Sequence, residues 1–195
     1  MTSTPYTRAL ALIDDAHAQD PNKTTVDGHS TPYELHYARK CTHYLSQHDP
    51  DASELLRLAV RAQHLRRWEV ARSSYPAGKL GYFAWRSAQK EKHAGHVREI
   101  CLESGYSEED AERVAGLVRK ENMRGDAECQ VLEDVACLVF LDDQFEEFEK
   151  EHDEEKIVRI LKKTWEKMSD RGHELALNIP MSERARGLVA KALES

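Results

Sequence analysis

This chain lacks any run of about 18 consecutive apolar residues, so it supplies no transmembrane helix. Its opening, MTSTPYTRALALIDD, has no basic start followed by a long apolar core, and no secretory signal is expected. The four cysteines, Cys41, Cys101, Cys129 and Cys137, are widely spaced and form no C-x-x-C pair. Reduced thiols and a cytoplasmic location are therefore the expectation. Strand signals are scarce: no run sustains an alternation of β-branched or aromatic residues with polar ones, and no Asn-Gly turn is present. Proline is absent between Pro76 and Pro180, which leaves that tract free to form long helices.

What is present is helical periodicity. At 195 residues, with 40% hydrophobic and 32% charged side chains, the chain is expected to be one all-α domain of seven to eight helices. The main body is expected over about residues 30–150, with a helical extension over 151–195 packed on it. The first helix is placed at about 6–18, before Asp20-Pro21, and the polar stretch PNKTTVDGHST reads as a loop. Pro32 suits the first turn of a second helix reaching about Gln47, and DPDAS breaks the chain before a third helix that reaches His64. An irregular segment, RRWEVARSSYPAGKLGY, follows. Helices are then expected at about 82–103, 107–122, 127–150, 154–176 and 182–194, with Gly105 and Ser107 marking a stop and restart.

The net charge of −7 disfavours a general nucleic-acid binder, yet the charge is uneven. Residues 57–92 hold nine Lys or Arg against Glu69 and Glu91, while 142–155 hold nine acidic residues against Lys150. An acidic protein that gathers arginine in one region suits a small anionic ligand. Arg66, Arg67, Trp68, Arg72, Lys79, Tyr82 and Arg86 interleave cations with aromatics, a mixture that binds phosphate and stacks on planar groups. The alternative is that these arginines pair with the acidic 142–155 stretch.

Histidines recur on this background. His36, His64 and His93 fall on separate helices, His96 lies one turn beyond His93, and Asp134 sits in the apolar run VLEDVACLVFL. An ionised carboxylate there is costly unless it is paired or bound to metal. Its roles are metal ligation, a salt bridge to Arg66 or Arg67, or the capping of another helix. His36 shares a face with His43, and only one of the two is expected to point inward.

This arrangement resembles the HD-domain superfamily, all-helical proteins that bind one or two divalent metals and mostly hydrolyse phosphate esters. The resemblance implies an HD-like bundle in which His36, His64, His93 and Asp134 hold a divalent ion, with Fe, Mn, Zn, Co and Ni undistinguished. Glu133 or Glu128 would be the proton acceptor or an outer partner of the metal. The family's His-Asp doublet is His64-Leu65 here, which removes a carboxylate that normally joins or bridges the metals. A second resemblance covers about residues 8–193. The segments AQHLRRWEVARSSYP, GYFAWR, LEDVACLVFL and KTWEKMSDRGH are similar to a family of uncharacterised bacterial and fungal proteins, some fungal members being labelled glutamyl-tRNA synthetase. KMSDR is similar to the KMSK-type loop of class I synthetases. The HIGH signature and an α/β sheet are missing, so synthetase activity is not expected, and KMSDR falls inside the helix expected at 154–176.

Two functions follow as expectations. One is a metal-dependent hydrolase acting through metal-activated water on a small phosphorylated or nucleotide-like anion, with an iron-dependent oxygenase on the same scaffold as a variant. The other is a non-catalytic sensor or adaptor whose degenerate site binds an anionic ligand. No membrane contact is expected, nucleic acid is disfavoured, and a homodimer is left open.

Overall fold

The computed structural model describes residues 4–121 and 125–194 and is all-α, with ten α-helices and one short hairpin among those residues. The helices are α1 (Pro5–Ala18), α2 (Tyr33–His48), α3 (Glu54–Arg61), α4 (Gly78–Ser104) and α5 (Glu108–Arg119), then α6 (Ala127–Val139), α7 (Phe145–Glu151), α8 (Glu154–Trp165), α9 (Asp170–Leu177) and α10 (Glu183–Glu194). Their ends follow local chemistry. Thr4, Ser53, Ser107, Asp126, Asp153 and Ser169 each accept a backbone N–H from the first turn of the next helix. Gly105, at φ 102°, closes α4 where a side chain would be strained.

The stretch expected to be a loop contains β1 (Lys23–Val26) and β2 (His29–Pro32), paired antiparallel with Val26 opposite His29. The two turn residues, Asp27 and Gly28, have φ of 49° and 78°, both positive. Asp-Gly favours this turn as Asn-Gly does, and strands of four residues are too short to show an alternation.

Two long helices expected from periodicity are interrupted. The helix placed at 127–150 widens into a π turn at Phe140–Gln144, where Asp142 meets Lys40 at 2.6 Å and Asp143 accepts from Tyr33 Oη at 3.1 Å. The helix placed at 154–176 divides between α8 and α9. KMSDR spans that junction: Lys167 and Met168 lie in the turn, Ser169 is the N-cap of α9, and Asp170 and Arg171 begin that helix.

The core is built where α4 packs on α5 and α1, and α2 on α3 and α6. Ile13, Leu56, Leu65, Leu117, Leu132, Leu138, Phe145 and Ile157 are fully or almost fully excluded from water there. One charged group lies as deep. The Asp134 carboxylate, 0% exposed, accepts from His48 Nε2 at 2.8 Å, Gln130 Nε2 at 2.9 Å, the Ser169 N–H at 2.9 Å and the Ser169 hydroxyl. Burial pushes its pKa up, but these hydrogen bonds outweigh burial and hold it below the usual aspartate value. Asp134 therefore ties α6 to α2 and α9. A Cβ added at Gly172 would stand 2.8 Å from Asp134 Cγ, so α9 approaches this close only with glycine there.

Asp134→Ala leaves His48, Gln130 and Ser169 without their buried acceptor, and we expect a loss of about 3 kcal/mol in urea unfolding. Gly172→Ala forces α9 away from Asp134 and is expected to cost about 1–3 kcal/mol. Stability equal to the unsubstituted chain in both variants would contradict the anchoring role.

Candidate functional site

A cleft of about 760 Å³ runs between α4 on one side and α6, the π turn, α7 and α8 on the other. On α4 its lining is Lys79, Tyr82, Arg86, Gln89, Lys90 and His93. Steps of three and four residues place these on one face, spanning about 21 Å at 1.5 Å per residue. The facing wall brings Lys156 and Lys163 from α8, Lys167 from the turn after it, and Phe140 and Phe148. The floor is formed by Tyr37 from α2, His64 and Arg67 from the loop after α3, Lys120 at the end of α5, and Glu133 from α6.

The loop that carries Arg67 is pinned to α4. Trp85 Nε1 donates to the Val70 carbonyl at 3.0 Å, and Gln89 Nε2 donates to the carbonyls of Arg67 and Val70 at 2.9 and 3.1 Å. The Arg67 guanidinium stacks over the Trp85 ring at 4.6 Å. Further along, Gly81 packs under the Pro76 carbonyl at a spacing no Cβ could share. Lys120 closes α5 in the left-handed conformation, φ 59°, which turns its side chain toward Glu133. Burial pushes the Glu133 carboxyl up, yet the charges of Lys120, Lys167 and Arg86 and the Lys120 hydrogen bond hold it below the usual glutamate value.

Eight lysine and arginine side chains line this cleft against one carboxylate, Glu133. Lys79, Arg86, Lys90 and Lys163 have no carboxylate within ion-pair distance among the described residues. Lys90 is held below the usual lysine value by burial and then by the nearby charges of Lys120 and Arg86. Part of that shift comes from neighbouring cations, which marks a positive field that the protein does not neutralise.

Two histidines stand inside that field. The His64 ring stacks on Tyr37 with centroids 4.2 Å apart and lies 6.1 Å from the His93 ring. The backbone at His64 is left-handed, φ 64°, an uncommon state for a residue other than glycine. His64 Nδ1 is buried 3.4 Å from Glu34 Oε2, and neither atom makes a hydrogen bond. His93 is 5% exposed, and its Nε2 is buried without a partner. Burial and then the Arg67 charge push His93 down to about 3, and the same two causes in the same order push His64 well below its ordinary value. Glu34 moves the other way, up to about 8, because burial outweighs the attraction of Arg67.

Of the four residues expected to hold a metal, the fold brings only His64 and His93 together. His36 faces the π turn, where Nε2 bonds Asp143 Oδ1 at 2.8 Å beside Lys40. Asp134 is spent on His48, Gln130 and Ser169, so of the three roles it is a cap for another helix. Among the described residues no group of three or more His, Cys, Asp or Glu side chains is placed to hold a metal ion. The charges of Arg67 and Lys120, felt at His64, oppose a divalent cation there, so the residues present do not fit the expected ion.

Of the candidate acids, Glu133 is in the cleft, whereas Glu128 sits at the start of α6 bonded to Ser53 and Arg113. The anion-binding candidates divide as well. Arg67, Lys79, Tyr82 and Arg86 line the cleft. Arg66 instead meets Glu69 at 3.3 Å, Arg72 donates to the carbonyls of Tyr75 and Pro76, and Trp68 is half-buried outside the lining. His96 faces Glu69 at 4.0 Å. Sequence reasoning missed Lys90, Lys120, Lys163, Lys167, Tyr37 and Glu34. The lysines of α8 recur at helical spacing, but so do those of any solvated face.

The protein is thus defined first as an all-α protein with a cationic, histidine-bearing cleft. It belongs to the family described as a domain of unknown function, DUF4202, which its sequence matches over residues 7–189. No curated protein and no solved structure matches it significantly.

His93, His64 and His17, the last pushed to about 4 by burial, bind protons in the unfolded chain below its pKa near 6.5 but not in the fold. Stability is therefore expected to fall as pH drops from about 6.5 toward 4. Glu34, raised to about 8, holds a proton in the fold that the unfolded chain releases near pH 4.3, so its contribution is lost as pH rises toward 8. Urea unfolding across pH 4.5–8.5 should show a maximum near pH 6.5, and a monotonic profile would contradict these ionisation states.

Proposed function

We propose that the cleft binds a small phosphorylated anion of nucleotide size. The observation that carries this reading is the row of cations without carboxylate partners: Lys79, Arg86 and Lys90 along α4, faced by Lys163 on α8. Four such charges gathered on one cleft of a chain of net charge −7 set up a local positive field that attracts an anion. A cleft of this volume suits a ligand the size of a nucleotide. Its depth, with Lys120 and Arg67 at the floor, suits a phosphate chain inserted end-on. Glu133, held by Lys120 and Lys167, serves as a resident counter-charge that the phosphate displaces or joins.

The aromatic side chains give the cleft a second kind of surface. Tyr82 is 41% exposed with Arg86 over its ring at 5.9 Å, while Phe148 stands edge-on to Phe140 at 5.7 Å. A purine or other planar group can stack there while its phosphates meet the lysines. A long nucleic acid is disfavoured, because the cations line a bounded cleft in a net-acidic protein.

Calorimetric titration with ATP and with pyrophosphate at low salt tests this reading. Binding of both is expected, weakening as salt rises. The Arg86→Ala, Lys163→Ala double variant should lose about 10- to 100-fold in affinity, since each of the two contacts, in a cleft open to solvent, contributes about 1 kcal/mol. Absence of binding, or equal affinity in the double variant, would contradict it.

A further inference from the structure

We propose that His64, oriented by Glu34 and set beside His93, is the general base of a metal-independent hydrolytic site acting on a phosphate anhydride. This rests on the cleft's being an anion site and adds the chemistry done there.

A histidine kept only for packing usually spends its ring nitrogens on hydrogen bonds, as His17 and His48 do through Nε2. His64 and His93 behave otherwise. Glu34 and His64 Nδ1 face each other at 3.4 Å with no competing partner, while the His64 side chain is 24% exposed and lines the cleft, which assigns Nε2 as the nitrogen available to it. Glu34 itself is fixed, because Asp20 Oδ2 accepts its backbone N–H at 2.9 Å at the start of α2. The stack on Tyr37 and the left-handed backbone at residue 64 hold the imidazole at the floor between Arg67 and Lys120. Strained backbone of this kind persists where surrounding packing enforces it, often at a working site.

Once Glu34 ionises, its carboxylate behind the imidazole sets the tautomer that leaves the outer nitrogen free to take a proton, so turnover is expected to rise with pH toward about 8. With phosphate held by the floor cations, the step is a hydrolysis. His64 Nε2 takes one proton from water, and the water oxygen forms a bond to phosphorus. The bond from phosphorus to the bridging oxygen breaks, and that oxygen leaves with the electron pair. His64 then returns its proton to solvent or to the released phosphate, and no oxidation state changes.

The same surroundings select the substrate. Neither imidazole carries a second proton to donate, so the leaving oxygen departs as an anion. A phosphate leaving from an anhydride does this readily, and Lys90, Lys120 and Arg67 stabilise its charge, whereas an alkoxide from an ordinary ester would require an acid.

The experiment measures phosphate release from pyrophosphate, ADP and ATP by the full-length protein in chelator-treated buffer, with binding followed by calorimetry on the same samples. Turnover of at least one substrate is expected. Glu34→Gln should lower kcat about 100-fold with KM changed less than threefold, and Glu34→Asp should recover part of it. His64→Gly should be inactive but partly restored by added imidazole, a response that a packing role does not produce. His93→Gln, read alongside with its fold checked by circular dichroism, covers the case in which the His64 or Glu34 variants do not fold. It should also lower kcat while leaving KM near its original value. Binding without turnover, or turnover unchanged in the folded variants, would overturn the catalytic assignment and leave the anion site standing. Absence of binding would overturn both.

Discussion

The rotation of α6 about its own axis is the constraint on which the site depends, and Asp134 sets it. A fully buried carboxylate is tolerable only with its hydrogen bonds made, and Asp134 makes them to His48 on α2, to Gln130 one turn back on its own helix and to Ser169 at the start of α9. With that side chain committed to the α2–α9 side, its neighbour Glu133 is turned about 100° away and emerges at the floor of the cleft. Gly172 completes the arrangement by letting α9 close over the carboxylate. One interaction thus locks three helices and delivers the single acid among the cleft's cations.

The electrostatics of the cleft follow from what the fold leaves unpaired. Many charged side chains are matched, as in Arg61 with Asp14 at 2.6 Å, Arg113 with Glu128 at 2.5 Å and, on α4 itself, Lys92 with Glu69 at 2.8 Å. Lys79, Arg86 and Lys90 on the cleft face of α4 and Lys163 on α8 have no such partner among the described residues. Burial and the nearby cations keep His64 and His93 neutral, so the imidazoles add proton acceptors to the site without adding charge. Binding of an anion reverses that balance: it neutralises the lysines and brings the bound group beside the two bases.

Most of the helices were legible because they follow local rules: apolar spacing, a Ser or Asp cap, Gly105 as a stop. The Asp27-Gly28 hairpin was read as a loop, because strands of four residues are too short to show an alternation. The breaks at the π turn and at Ser169 are set by tertiary partners, Lys40 and Asp134, that periodicity does not register. His64 stood out at the end of an apolar run and His93 by its spacing from His96, and the structure places the rings of His64 and His93 6.1 Å apart. Asp134 also stood out, as a carboxylate in an apolar run, but its partner His48 carried no local signal, since the two are 86 residues apart. Lys120 and Glu34 were invisible for the same reason. Each becomes part of the site through backbone geometry at a helix end, not through a pattern along the chain.

The most direct test is a map of where a phosphate anion lands. In a nitrogen-15 labelled sample titrated with pyrophosphate, the amide shifts of Lys79, Arg86, Lys90 and His93 on α4 and of Lys163 and Lys167 across the cleft should move together and saturate. The amides of Thr24 to Val26 in the hairpin, which takes no part in the cleft lining, should stay still. Shifts confined to the hairpin, or none along the α4 face, would contradict the account.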